Sequence, residues 1–402
     1  MTVPTDHRRA LRRMRAAVAG LFASFGIVLA TWAVHLPALQ QRAGITTAQL
    51  GTVLLVLGIG SVAAMQWSGP LIDRFGGGAV AVIGTGAMAA TVVVPLAATT
   101  FWHAAAGAAV FGIAVGGSDV AMNAAAVELE RDYGRPILAS FHAVFSVGNV
   151  VGSGLAAITY SAGLGVLTAV LIVGAGCVLV VGVCAAVLLT GRRRSAGESG
   201  VAEDEPGPAE RPQRGRMSLR VLLFGMLAFL LLLAEGAAMD WSSLHAQQHL
   251  GASPSVGALA FGAFVAAMTV GRFSVDRIAH RAGPVRVLRW GCVIAAVGVA
   301  LVALSGTLVL TLVGWVLFGL GLAGGVPQVF TAAGAVGGRP SGRVLARVVG
   351  IGYVAMLAGP ATIGWVADWT SLTVALLIPL CAMVICAASA GALTPAEDDP
   401  TP

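Results

Sequence analysis

Two acids stand in the chain where an acid has little ordinary reason to be. Asp119 lies within a few residues of the middle of one long apolar run, with Asn123 four residues on, and Glu235 lies in another such run. Residues four apart share one face of a helix, so Asp119 and Asn123 form a polar pair. At bilayer depth an ionised carboxylate costs at least about 2.5 kcal/mol unless it faces water or a partner. Acids so placed mark ion and proton pathways, the bland alternative being a structural hydrogen bond inside a helix bundle. Asp240 follows Glu235 by five residues, about 140° around an ideal helix, so both can face one cavity only if the helix unwinds. Asp240 with Trp241 otherwise marks a membrane interface.

Further residues fit a path for a solute. His142, Phe145 and Asn149 recur at three- and four-residue spacing, a polar, aromatic and polar stripe. A histidine there either titrates near neutrality or serves as a satisfied contact between helices. Trp32 shares a face with His35, and Tyr353 sits in a late apolar run. Aromatic rings beside a few polar groups suit a sugar-sized or amphipathic solute. Asp73-Arg74 and Asp276-Arg277 end two apolar runs, where a carboxylate can face the positive N-terminal end of a neighbouring helix and act as a gate.

Other chemistries find no support. No nucleophile stands beside a base and no metal set is spaced as one, so an enzyme is not expected. Gly84-Thr-Gly86 resembles a nucleotide-binding fingerprint only formally, because no strand precedes it, and no GKS or GKT segment offers a phosphate cradle. The five cysteines, Cys177, Cys184, Cys292, Cys381 and Cys386, all lie in apolar runs, where a free thiol behaves as a small hydrophobe. No cofactor is expected.

These residues must be held by membrane helices. Of the 402 residues 57% are hydrophobic and 10% charged, with a mean hydropathy of +0.88, which excludes an ordinary soluble domain. Apolar runs predict helices at 16–38, 46–69, 78–99, 103–127, 138–160, 163–190, 218–245, 255–278, 284–305, 307–332, 342–366 and 370–393. The first run is too long for the core of a signal peptide and reads as a retained span. Residues 191–217 carry many Pro, Gly and charged residues and almost nothing to bury, the composition of a disordered linker. The chain therefore divides into a bundle at 1–190, a linker at 191–217 and a second bundle at 218–402.

All 24 basic residues are arginines, and one orientation puts 23 of them on the side of the N-terminus, leaving Arg42 opposite. Cytoplasmic loops collect basic residues, so both termini and the linker are expected in the cytoplasm and the protein in a bacterial plasma membrane. The net charge of +6 then reports topology rather than nucleic-acid binding. Gly112 with Gly116, Gly148 with Gly152, and Gly321 with Gly325 are small-residue pairs that permit close helix contact. They are expected to form sliding surfaces.

The halves repeat. Asp73-Arg74 and Asp276-Arg277 are 203 positions apart, Gly134-Arg135-Pro136 and Gly338-Arg339-Pro340 are 204 apart, and Gln40-Gln41 recurs 207 positions later as Gln247-Gln248. Repeats of this kind underlie transporter architecture. Gly69-Pro-Leu-Ile-Asp73-Arg74-Phe-Gly76 resembles the signature of the major facilitator superfamily, and Gly271-Arg272-Phe-Ser-Val-Asp276-Arg277 is its echo. Gly117-Ser-Asp119-Val-Ala-Met-Asn123-Ala, Gly134-Arg135-Pro136 through Phe141-His142, and Glu235-Gly-Ala-Ala-Met-Asp240-Trp241 resemble the YbjJ-type branch, related to the fucose permeases.

The resemblance implies an all-α membrane protein of twelve transmembrane helices in two six-helix bundles rocking about a central site. Two departures stand out. Gly77 and Gly78 replace the basic residues that usually follow Gly76, and the first helix lacks the acid of fucose-type permeases. The expectation is a secondary active transporter moving a small solute by alternating access, coupled to protons through Asp119 or Glu235. Efflux of an amphipathic compound by antiport is the alternative, and a membrane-embedded enzyme or a transporter-like sensor is less favoured. The expected partners are the solute, protons and the lipid bilayer, with no nucleic acid and the chain acting as a monomer.

Overall fold

The computed structural model describes residues 5–135, 137–195, 219–334 and 342–394. The expected linker falls outside the described residues from 196 on, as do Pro136, Arg339 and Pro340. Among the described residues twelve helices are long and apolar enough to cross a membrane, and they match the expected runs one for one. They are α1 (Arg9–Ala43), α2 (Thr47–Phe75), α3 (Gly77–Leu96), α4 (Phe101–Tyr133), α5 (Leu138–Ser161), α6 (Val166–Thr190), α7 (Leu219–Leu250), α8 (Pro254–Val275), α9 (Pro284–Leu304), α10 (Leu308–Gly334), α11 (Arg347–Trp369) and α12 (Leu372–Leu393).

Local chemistry sets the ends. Thr46 and the Gln49 side chain cap the start of α2 reciprocally, and Thr100 caps α4 by accepting from His103 N. Three spans are interrupted: α3 at Val92, α10 at Ala323 and Gly324, and α12 at Leu376. Pro95, Pro327 and Pro379 each stand three or four residues beyond the break, and proline cannot donate the backbone bond that would close that turn. The halves repeat in backbone as well as in sequence. Gly44 and Gly251 turn at φ 60° and 59°, Gly76 and Gly283 at 78° and 82°, and each pair is 207 positions apart.

The helices form two six-helix bundles, and each is centred on a core that also takes in a few residues of the other where they touch. One core runs from Val18 and Phe22 through Phe111 and Phe141 to Cys177. The other runs from Phe224 through Phe261, Phe264 and Trp315 to Met383. Among the exposed tryptophans, Trp102 and Trp369 lie towards the arginine-poor end and Trp67 and Trp290 towards the arginine-rich end, the depths that indole favours.

The glycine pairs work inside the bundles and not between them, which corrects the expectation of sliding surfaces. A Cβ at Gly112 or Gly116 would strike the α2 backbone at Leu57 or Ser61, one at Gly148 or Gly152 the α1 backbone at Ala23 or Ile27, and one at Gly321 the α9 backbone. Contact between bundles uses other glycines. A Cβ at Gly58 would meet Leu357, one at Gly262 would meet Ser153, and Gly51 and Gly364 are pressed together between α2 and α11. The bundles thus meet through α2 with α11, α5 with α8 and α1 with α7.

Candidate functional site

Contacts between the bundles gather at the arginine-poor end. There Gln248 Nε2 donates to Gln40 Oε1 at 3.3 Å, Trp365 Nε1 to Thr52 Oγ1 at 3.2 Å, Ser243 Oγ to the Val34 carbonyl at 3.3 Å and Ala48 N to Asp368 Oδ1 at 3.4 Å. Towards the arginine-rich end this seam loosens. Trp67 is 75% exposed, Asp73 and Arg74 are exposed, and Gly69 has open space around it. The molecule is therefore closed at the arginine-poor end, with a cleft between the bundles opening to the other.

Asp119 and Glu235 stand near the middle of α4 and of α7, one in each bundle, and both are half-buried. Asn123 Nδ2 donates to the Asp119 carbonyl at 2.9 Å and to its Oδ1 at 3.3 Å. Among the described residues Asp119 has no cationic partner, whereas Glu235 pairs with Arg272 of α8 at 2.9 Å. Side-chain exposure is 14% for Glu235 and 36% for Arg272, so the pair is partly wet. Two electrostatic contacts cross between bundles: Tyr353 of α11, 44% exposed, acts on Asp119, and His142 of α5, also exposed, lies within reach of Arg272.

Two mid-span sets result, Asp119 with Asn123 and Tyr353, and Glu235 with Arg272 and His142. Trp32 is placed elsewhere, 3% exposed in the first core with its ring 5.4 Å from Phe111. Asn149 is likewise buried and donates to the Phe145 carbonyl along its own helix, while Phe145 packs on Phe25 at 5.9 Å. Asp240 is half-buried and has no cationic partner among the described residues. Asp73 stands two residues from the end of its helix, but the helix of α8 continues beyond the span given above to Ala282, so Asp276 stands six residues inside it. The two signature acids are therefore not at equivalent depths.

Arg272 is the site residue that sequence reasoning passed over, because it counts among the arginines near a loop. A signal was present. The matching position of the first half, 203 residues earlier, is Gly69, so the repeat carries a charge on one side only.

Chemically, the two walls differ in how charge is neutralised. Glu235 is balanced by a guanidinium, whereas among the described residues nothing cationic balances Asp119, which leaves that to a proton or an entering cation. No group of three or more His, Cys, Asp or Glu among the described residues is arranged to hold a metal.

The family model of the Major Facilitator Superfamily matches residues 16–336 and 226–402. An uncharacterised MFS-type transporter of Yersinia pestis is 35% identical over 369 residues, covering 92% of this chain and 93% of its own length. Membrane protein MosC of Rhizobium meliloti is 28% identical, with 92% and 88% covered. Among solved structures, a mutant of the nucleoside transporter NupG superposes with a TM-score of 0.72 at 14% identity, covering 95% of this chain and all of that one. The transporter FucP superposes at 0.58 and 16%, with 94% and 98% covered. The helix count, the two bundles and these matches agree, and the chain belongs to the major facilitator superfamily, a family of transporters and not of enzymes.

Proposed function

We propose that this protein is a secondary active transporter that moves a small polar solute by alternating access and couples it to protons through Asp119. The observation that carries the reading is Asp119 itself, half-buried at mid-span with an amide neighbour and, among the described residues, no cationic partner. Such a carboxyl can take up and release a proton without breaking an ion pair. Glu235 would first have to give up Arg272.

The arginine-rich end is the cytoplasmic end on the positive-inside rule, so both termini are cytoplasmic and the described state is open inward. Asp73, Arg74, Asp276 and Arg277 are then gate residues of that end, engaged when the cleft closes there and the opposite seam parts. Gln40, Gln248, Trp365 and Thr52 hold the opposite seam now.

The test is flux in proteoliposomes with an imposed proton gradient, using solutes found to shift thermal stability. Asp119→Asn should abolish gradient-driven accumulation and leave solute exchange, which needs no net change of protonation. Retained coupling in a well-folded Asp119→Asn protein would move the role to Glu235 or His142. Cysteine labelling of residues 191–217 from the cytoplasmic side checks the orientation.

A further inference from the structure

The glutamine pairs that repeat between the halves, Gln40-Gln41 and Gln247-Gln248, are only partly used by the cycle proposed above, in which Gln40 and Gln248 hold the seam. All four line one cavity of about 320 Å³ at the arginine-poor end. One wall is α1 with the turn after it, and the other is α7. The walls belong to different bundles, so the cavity exists only while the bundles are together at that end.

Part of its polar surface is spent. Gln248 Nε2 donates to Gln40 Oε1 at 3.3 Å, Gln40 Nε2 to Thr47 Oγ1 at 3.2 Å and Gln247 Nε2 to Ser243 Oγ at 3.4 Å. Among the described residues the side-chain amide of Gln41 and the Oε1 atoms of Gln247 and Gln248 make no hydrogen bond. No lining residue is ionisable, so nothing in the cavity selects an ion. A carboxamide both donates and accepts, as a hydroxyl does. Pro37, Ile45 and Leu244, all buried, add apolar surface, which suits the C–H face of a sugar ring. The volume lies near the small end of the range usual for small-molecule sites, about 300–1,000 Å³.

We infer that this cavity is a binding site, separate from the solute path, for an uncharged mono- or disaccharide whose presence holds the arginine-poor end shut. The device is selection between states. A ligand that touches both walls binds the shut state, and it shifts the equilibrium by its differential affinity for that state. Saccharide on the arginine-poor side thus slows reopening to that side. This rests on the reading that the seam parts during the cycle.

The test measures binding of glucose and of maltose to the purified protein by calorimetry, at low millimolar concentrations where the general stabilising effect of excluded sugars is weak. Both should bind saturably. Gln41→Ala and Gln247→Ala, one from each wall, should each weaken binding roughly three- to tenfold, the loss of one hydrogen-bonded contact. Asp119→Asn should leave the affinity unchanged. Gly364→Leu wedges the seam where Gly364 presses on Gly51, with Gly364→Ala as the substitute if the larger side chain prevents folding. In that variant sugar should bind severalfold more weakly, because less of the protein is in the competent state. Added sugar should also shorten its spin-label distances between α2 and α11 at the arginine-poor end.

No saturable binding of either sugar, or weakening by only one of the two glutamine variants, would overturn the inference. Binding that Asp119→Asn abolishes would assign the sugar to the solute path and overturn it as well. So would lengthened distances that bound sugar fails to shorten. Distances that neither Gly364 variant lengthens would count against the parting of the seam, and the action assigned to the sugar would fall with it.

Discussion

The two ends of the seam between the bundles are built from opposite chemistries. The closed end is made of glycine backbones pressed together at Gly51 and Gly364 and of neutral hydrogen bonds such as Gln248 to Gln40, with a carboxylate taking part only where Ala48 N meets Asp368. From mid-span towards the open end stand the ion pair Glu235–Arg272 and the acid Asp119, which has no cationic partner among the described residues, with Asp73 and Arg74 exposed at the mouth. The difference teaches where each force is affordable. Close packing of small residues is lost and regained without stranding a charge, whereas charges are kept where water reaches them. A closed end locked by buried ion pairs would strand several charges each time it parted, at several kcal/mol per uncompensated ion.

The sharpest way to break this contrast is to unbalance the open end. Arg272→Ala leaves Glu235 without its cation and is expected to cost about 3 kcal/mol, the low end for a broken buried pair because Arg272 is 36% exposed. Adding Glu235→Gln should recover most of it. Thermal unfolding in detergent reads both, and a double variant as unstable as Arg272→Ala would show that the ion pair is not the source.

Gly364→Leu attacks the closed end. Even a Cβ there would lie 2.8 Å from the Thr47 carbonyl and 2.9 Å from Gly51 Cα, so closure should cost about 1–3 kcal/mol. That moves the conformational equilibrium roughly 10- to 100-fold towards opening at the arginine-poor end. Spin-label distances between α2 and α11 at that end should lengthen, and unchanged distances would mean that glycine packing does not hold the seam.

Gln40→Ala removes one neutral hydrogen bond across the closed seam, together with the bond from Gln40 to Thr47 Oγ1 inside the first bundle, and should shift the same distances slightly, by about 1 kcal/mol of closure. A larger shift would make the glutamines, rather than the glycines, the latch. The smallest change in stability is expected for Asp119→Asn, under about 1 kcal/mol, because the new amide oxygen still accepts from Asn123. A loss as large as that of Arg272→Ala would assign Asp119 a structural role.

Much of this was legible in the chain. Crossing a bilayer needs about 20 apolar residues in succession, which is a local property, and so all twelve spans could be read off. The repeat of Gly44 at Gly251 and of Gly76 at Gly283 is likewise written in sequence and reappears as paired turns. The acids at Asp119 and Glu235 announced themselves because polar groups are rare in such runs. The site was legible only in part. Trp32 had the same aromatic character as Tyr353, yet one ring is buried on Phe111 and the other faces the cleft.

What the sequence alone determined, then, is the number of spans, their approximate positions and the mid-span depth of Asp119 and Glu235, since these follow from solvent and from spacing along one helix. Tertiary structure decided the azimuth of each residue: that Arg272 reaches Glu235 across 37 positions of chain, that Asn149 turns into its own bundle, and that the paired glycines pack within bundles. A helix in a membrane has no hydrophobic side to declare, because lipid and core are equally apolar. Which face meets a neighbour is settled only when the neighbour is there.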